Sequence, residues 1–309
     1  MIAMKSWNTS SLASVHPSPM DIQDLQAFLA VANHQSFSAA AEQLHLTQPA
    51  ISKRVAGLEQ RLGHRLFDRI GRRVDLTDAG RTLLPFARST LSTLTDARHA
   101  LSHLDGQLSG QLSIGTSHHI GLHRLPPVLR QFSEAHPGVE LDIHFMDSEV
   151  ACEAVLAGDL ELGIVTLPTS PLPQLDTQLI WPDPLQVVVS AQHPWAQQKS
   201  LQLPDLAEMP AVLPDESTYT HRIVRAALLG LGVEPQVRMA TNYLETLKML
   251  VTIGLGWSVL PESMLDAELV AVPVAGLQMH RELGLAWHSR RTLSASCRAL
   301  MQLCTDQRA

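Results

Sequence analysis

The sequence predicts an α/β protein in three parts: a small helical head closed by a hairpin, one long connecting helix, and a larger body. Three observations carry this. Residues 21–76 combine short helical periods, a basic cluster and a glycine-centred hairpin signal. Residues 77–105 contain no Gly or Pro after Pro85 and read as one helix. From residue 107 on, apolar runs such as 111–115, 139–143, 160–165 and 185–189 alternate with helical patterns, as in mostly parallel sheets.

Composition narrows the function. The 309 residues are 45% hydrophobic, enough for two or three domains with real cores. No apolar run approaches the ~18–20 residues that span a bilayer, so no membrane partner is expected. Residues 1–19 lack a signal-peptide pattern and read as a disordered leader, with Met20 a candidate start. A cytoplasmic location is expected. The three cysteines (Cys152, Cys297 and Cys304) form no C-x-x-C pair and no even framework. The net charge of −7 is unevenly spread. Residues 53–73 hold seven basic side chains (Lys53, Arg54, Arg61, Arg65, Arg69, Arg72, Arg73) against Glu59 and Asp68. A basic head on an acidic body points to phosphate contact by the head alone.

The head reads as a winged helix-turn-helix. Ser38 is a candidate cap for a helix through Ala39, Ala40, Ala41 and Leu44, and its small alanines permit close approach of a second helix. His45 and Leu46 form the turn, with Leu46 buried. Thr47 caps the next helix, and Pro49 sits in its first turn, where a missing N–H costs little. Ile51, Val55, Leu58 and Leu62 make one buried stripe. Gln48, Ser52 and Lys53 project from the other side, where a recognition helix meets base edges. Gly71 between two extended arms is a hairpin tip, with Arg69, Arg72 and Arg73 beside it for phosphate or the minor groove. In the long helix Leu84, Ala87, Leu91, Leu94, Arg98, Leu101 and Leu104 approach a heptad seam. That stripe either packs on its own domain or pairs two chains; the second reading is favoured.

The run from Phe37 to Ser52, followed by Leu58-Glu59, Leu62-Gly63, Leu66-Phe-Asp-Arg69 and Leu76-Thr-Asp-Ala-Gly80, resembles the LysR-type transcriptional regulators. The resemblance implies a winged helix-turn-helix at 20–78, a dimerisation helix at 79–106 and an effector domain at 107–309. That domain would have the two-lobed fold of type 2 periplasmic binding proteins, with lobe I near 107–182 and 285–309 and lobe II near 183–284. It implies a homodimer or homotetramer on double-stranded promoter DNA, a small polar or anionic effector, and RNA polymerase as a candidate partner. Base-reading positions fall on Gln48, Pro49, Ser52 and Lys53. Residues 185–191 and 283–289 look like the strands that cross between lobes.

Effector contacts are expected at strand ends and helix N-termini, whose free N–H groups suit anions. The first cluster is Thr116, Ser117, His118 and His119, before a helix starting near Gly121, with Thr166 at the end of a neighbouring strand. The second is Thr218, Thr220 and Asn242, with Trp257 expected to line the cleft. Ser117, His119, Thr166 and Thr220 match ligand positions of sulfur-assimilation regulators, and residues 116–127 resemble a subgroup governing ferredoxin-NADP reductase and sulfur or redox metabolism. Ser and Thr at such sites also serve simply as helix caps. The adjacent His118 and His119 diverge in direction, so no metal site is expected. No cofactor is expected either. Cys152, near a helix start, reads as buried and inert or as a reactive thiol, which would make the chain a redox sensor on the same scaffold. No Walker loop, G-x-G-x-x-G or Ser-His-Asp order suggests an enzyme, and the added head argues against a simple solute-binding protein.

Overall fold

The computed structural model describes residues 20–70, 73–102 and 108–307. The expectations for residues 1–19, for Gly71 and Arg72, and for Leu104 fall outside these, as do the side chains of Arg73, Arg98 and Leu101. The chain divides into two units, with the boundary between Leu91 and Ser92.

The first unit opens with α1 (Ile22–His34), α2 (Phe37–Gln43) and α3 (Gln48–Leu62), then strands β1 (Phe67–Ile70) and β2 (Arg73–Leu76), then α4 (Asp78–Ser102), which runs past the boundary. Asp21 caps α1 by accepting from Gln23 N–H at 3.0 Å. The cap of α2 is Ser36, not Ser38: its Oγ accepts from Ala39 N–H at 3.3 Å. The helix therefore starts two residues earlier than expected. Thr47 takes the N-cap position of α3 but makes no capping bond with its side chain. Gly63 ends α3 in the left-handed region at φ 69°, which favours a residue without Cβ.

Ala40 and Ala41 are buried where α2 meets its neighbours, and Ile51, Val55 and Leu58 are buried on α3. Phe67 on β1 packs its ring 5.4 Å from Phe28 and 5.9 Å from Phe37. Leu46 departs from expectation: it is 38% exposed, because the turn lifts it off this core. An Arg61–Asp24 ion pair ties α3 to α1. The Glu59 carboxylate accepts from Leu66 N–H (2.7 Å) and Phe67 N–H (3.3 Å), which sets the entry to the hairpin. β1 and β2 pair antiparallel with Ile70 opposite Arg73, as a tight wing requires. Thr77 Oγ1 accepts from Gly80 N–H at 3.1 Å and so caps α4. A Cβ on Gly80 would overlap the Leu66 carbonyl, so the close approach of α4 needs glycine there.

The stripe on α4 is partly spent within the chain. Ala87 is buried in the head's core, and Leu83, Leu84 and Leu91 pack against it. The preferred intermolecular reading is therefore corrected for Ala87, while Leu84 and Leu91 are only partly buried within the chain.

The second unit contains β3 (Gly110–Thr116), α5 (His118–His123), α6 (Leu125–Ala135), β4 (Val139–Phe145), α7 (Ser148–Ala157) and β5 (Leu162–Thr166). Then follow β6 (Leu175–Ser190), α8 (Leu203–Glu208), β7 (Pro210–Leu213), α9 (Tyr219–Gly230), β8 (Gln236–Ala240) and α10 (Leu244–Thr252). The last elements are β9 (Ser258–Pro261), β10 (Leu269–Ala271), β11 (Met279–His288) and α11 (Ala295–Asp306). The main sheet runs β10-β6-β11-β5-β3-β4, with β9 also on β6. β3 is parallel to β4 and β5, whereas β11 is antiparallel to both β5 and β6. β7 and β8 form a separate parallel pair.

Two cores flank the long strands. One gathers Leu112, Ile114, Phe132, Leu162, Leu285 and Leu300. The other gathers Leu185, Val187, Leu206, Val224, Trp257 and Val259. β6 and β11 contribute to both, so they are the crossing strands. They are longer than the expected 185–191 and 283–289, at 16 and 10 residues. Each feeds one core with its first half and the other with its second, which a single apolar run does not reveal. Trp257 is corrected: it is 1% exposed within the second core, and its Nε1 donates to the Met209 carbonyl at 3.1 Å.

Candidate functional site

On the head, burying Ile51, Val55 and Leu58 turns the opposite side of α3 outward. Gln48, Pro49 and Lys53 are exposed there, and Ser52 is half-buried. Gln48 Nε2 donates to Ser52 Oγ at 3.0 Å, which holds the amide along the helix face. Arg69 is exposed on β1, and its guanidinium lies 4.0 Å from the centre of the Phe37 ring. That contact steadies a side chain expected on phosphate.

In the body, one cavity of about 50 Å³ is lined by Ser117, His118, His119, Thr166, Thr218, Thr220 and Asn242. Seven of the eight expected residues thus meet, from the ends of β3, β5, β7 and β8 and the segments that follow them. Thr116 does not. It is fully buried and donates from Oγ1 to the Ile164 carbonyl at 2.8 Å, because alternation along β3 turns it into the sheet. α5 starts at His118, not near Gly121, with Ser117 as its N-cap. Thr218 is committed too: its Oγ1 accepts from His221 N–H (3.1 Å) and donates to the Asp215 carbonyl (2.8 Å), so it is mainly a cap. The His118 ring stacks on Phe145 at 5.4 Å and meets Tyr243 edge-on at 5.0 Å.

The cavity also takes in Tyr219, from the second polar run, and residues the sequence reading missed: Asp147, Ser148, Glu149 and Arg281. Asn242 Nδ2 donates to Asp147 Oδ2 at 2.7 Å. Thr166 N–H donates to Ser148 Oγ at 3.0 Å. The Glu149 carboxylate accepts from Tyr219 N–H, yet burial still raises its pKa above the ordinary range.

Arg281 is the most telling of them. It lies opposite Asp183 in the β11–β6 register. Its Nε donates to Asp183 Oδ2 at 2.7 Å, with side chains 4% and 1% exposed. Nη1 donates to Thr220 Oγ1 at 3.3 Å. Nη2 is buried with no hydrogen-bond partner, as is Asn242 Oδ1. A fixed guanidinium with an unused N–H suits an anionic oxygen. Arg281 stands in Met279-His-Arg-Glu-Leu283, and the one available signal is alternation, which puts it on the same strand face as Met279 and Leu283, where a buried charge demands a partner.

Both units match known protein families. The "Bacterial regulatory helix-turn-helix protein, lysR family" profile matches residues 22–81, and the "LysR substrate binding domain" profile matches residues 105–309. The chain belongs to the LysR family. An uncharacterized HTH-type transcriptional regulator from the ibpB-leuC intergenic region of Azotobacter vinelandii is 64% identical over 108 residues, covering 35% of this chain and 75% of that protein. The RuBisCO operon transcriptional regulator of Allochromatium vinosum is 28% identical over 94% of this chain and 97% of its own. Full-length OxyR from Pseudomonas aeruginosa, carrying a cysteine-to-aspartate substitution, superposes with a TM-score of 0.70 at 25% identity, over 93% of this chain and 98% of that one. CbnR complexed with its target DNA shares the fold, with a TM-score of 0.64 at 21% identity over 94% and 100%. This LysR-family protein is a DNA-binding transcriptional regulator with an effector-binding domain, and its relatives are regulators rather than enzymes.

For this regulator's body, the structure decides between the two readings of Cys152 and changes the expectation about metal ligands. The cysteines are free and buried, with Cys152 at 0% exposure. Burial pushes the Cys152 thiol up to about 11 and Cys304 to about 12, and holds Cys297 well above the ordinary range. A thiol that stays protonated is a poor nucleophile, which removes the support for redox sensing at Cys152. The expectation of no metal site rested on the diverging pair His118–His119 and on finding no H-x-x-x-H pair nearby, yet His119-Ile-Gly-Leu-His123 is such a pair. These two histidines are four apart on α5. The structure gathers His119, His123 and Glu245, with one ligand atom from each within 4.8 Å of the others.

Proposed function

We propose that this LysR-family regulator binds double-stranded promoter DNA as a homodimer or homotetramer and responds to a small polar or anionic effector held between its lobes. Gln48, Pro49, Ser52 and Lys53 read bases, and Arg69, Arg72 and Arg73 contact the backbone or minor groove. The working limits are 20–78 for the head, 79–106 for the linker and 107–309 for the effector domain. Within the last, lobe I takes 107–182 and 285–309 and lobe II takes 183–284. The regulator acts in the cytoplasm beside RNA polymerase. Among the described residues no helix is long and apolar enough to cross a membrane.

The observation that carries the effector reading is the unused Arg281 Nη2, with the unused Asn242 Oδ1, in one cavity. Each buried polar atom without a partner costs about 1–3 kcal/mol, and an anionic oxygen with a donor beside it satisfies both. A volume of about 50 Å³ admits a ligand only a few non-hydrogen atoms across unless the lobes open. Bound ligand favours one lobe angle by free energy, and that preference passes to the paired heads and their spacing on DNA. Similarity of residues 116–127 to the ferredoxin-NADP reductase and sulfur-redox subgroup makes sulfur metabolites the first ligands to screen. The RuBisCO names among the relatives add carbon-metabolism anions.

The test is a thermal-shift screen of the full chain against those anions. A hit should be lost in Ser117→Ala, Thr166→Ala and Arg281→Met. A shift that survives all three overturns the cleft. For the head, Ser52→Ala with Lys53→Ala should abolish sequence-specific binding while the fold persists, and unchanged promoter affinity would refute that surface.

A further inference from the structure

We propose that His119, His123 and Glu245 bind one divalent transition-metal ion of the Zn²⁺ type, and that the ion clasps the first lobe to the second. The histidines stand at i and i+4 on α5, which puts both rings on one helix face, with centroids 4.7 Å apart. Glu245 belongs to the first turn of α10, in the other lobe. His123 Nε2 lies 3.2 Å from Glu245 Oε1, and His119 Nδ1 lies 3.6 Å from the same oxygen. Ligand bonds near 2.0–2.1 Å at tetrahedral angles place donor atoms about 3.4 Å apart. The two observed separations bracket that value.

A plain hydrogen bond between His123 and Glu245 explains only half of the cluster. His119 is 3% exposed, and neither of its ring nitrogens has a hydrogen-bond partner. At 3.6 Å the Glu245 oxygen is outside hydrogen-bonding reach of that ring. Burying an imidazole with both nitrogens unmet is costly, and a metal ion supplies a missing partner. Arg281 adds positive charge nearby, but Asp183, 2.7 Å from its Nε, balances it. The donors are two imidazoles and a carboxylate, which suits borderline ions such as Zn²⁺ better than Mg²⁺ or Ca²⁺. A His₂Glu set leaves one position for water.

The ion would fix the distance between α5 and α10, and so the lobe angle on which the effector is proposed to act. The clasp itself does not depend on the effector reading. Chelator-treated protein still tests the effector, and effector-free protein tests the metal.

The experiment titrates untagged, chelator-treated full-length protein with ZnCl₂ and, as an optical probe, CoCl₂. One Zn²⁺ should bind per chain, with visible Co²⁺ absorption bands displaced by Zn²⁺ and a rise in the melting temperature. His123→Ala and Glu245→Gln should each weaken binding at least tenfold and abolish the thermal rise. Both side chains are partly exposed, at 42% and 38%, so these variants should fold, and circular dichroism checks this. Stoichiometric binding that persists unchanged in both variants overturns the proposal, as does wild-type binding no stronger than that of the double variant.

Discussion

Replacing Asp183 with alanine removes the only carboxylate within bonding distance of the Arg281 guanidinium among the described residues. The pair is nearly dry, with side chains 4% and 1% exposed and 2.7 Å between Nε and Oδ2. Breaking such a pair on one side costs about 3–5 kcal/mol, because the remaining charge stays buried. Burial already pulls the Arg281 pKa down and Asp183 holds it up, so the loss falls on the guanidinium. Arg124 Nη2 also reaches Asp183, but at 3.4 Å and 30% exposed, so it adds only about 0–1 kcal/mol. For a body of this size each kcal/mol moves the melting temperature by about 2–4 °C, so Asp183→Ala should lower it by roughly 6–20 °C. The paired replacement Asp183→Leu with Arg281→Met removes both charges and should recover most of that loss. It should still fail to bind any anion that needs Nη2. Calorimetry on the full chain reads this, with the body's transition fitted separately from the head's. A loss below about 1 kcal/mol in Asp183→Ala would show that water reaches the pair. A double variant less stable than Asp183→Ala would show that the pair contributes net stability, and either result refutes the reasoning.

The other predictions are local. Gly80→Ala puts a methyl group against the Leu66 carbonyl and the Leu76 side chain. Overpacking of this kind costs about 1–3 kcal/mol and outweighs the gain in helix propensity, so the head should unfold at lower urea. A variant as stable as wild type would mean that α4 does not approach so closely. Cys152, with its thiol near 11, should resist iodoacetamide in the native protein. At pH 7.5 burial keeps this thiol almost wholly protonated, whereas about 1 in 10 of an ordinary cysteine is ionised. Labelling of Cys152 as fast in native as in urea-unfolded protein would contradict its burial.

The head was legible almost residue by residue. Its signals are local: the periodicity of Ile51, Val55 and Leu58, the Thr47-Gln-Pro start of α3, and Gly71 between two extended arms. Each depends on neighbours within a few turns, so a linear reading captures it. The errors there were equally local. Ser36 and Ser38 are both good caps, and only the path of the chain between α1 and α2 selects the first. Leu46 looks apolar enough to bury, but a turn residue is buried only if something packs over it.

The body was legible by position but not by role. Polar runs after strands correctly marked Ser117, His118, His119, Thr166, Thr218, Thr220 and Asn242 as neighbours, because parallel α/β topology brings strand ends together. Which hydroxyls stay available was hidden. Thr116 is spent on the Ile164 carbonyl and Thr218 on its own helix, since side-chain direction follows strand alternation and capping geometry. Short-range pattern was enough for the helical head, the alternation of strands and helices in the body and the polar runs that meet at the cavity, because those features are written in neighbouring residues, whereas the two-lobed arrangement came from the family resemblance. The Asp183–Arg281 pair and the His119–His123–Glu245 cluster needed the folded chain. Their partners are 98 and 122 residues apart along the sequence, and strand register and lobe packing alone bring them within bonding distance.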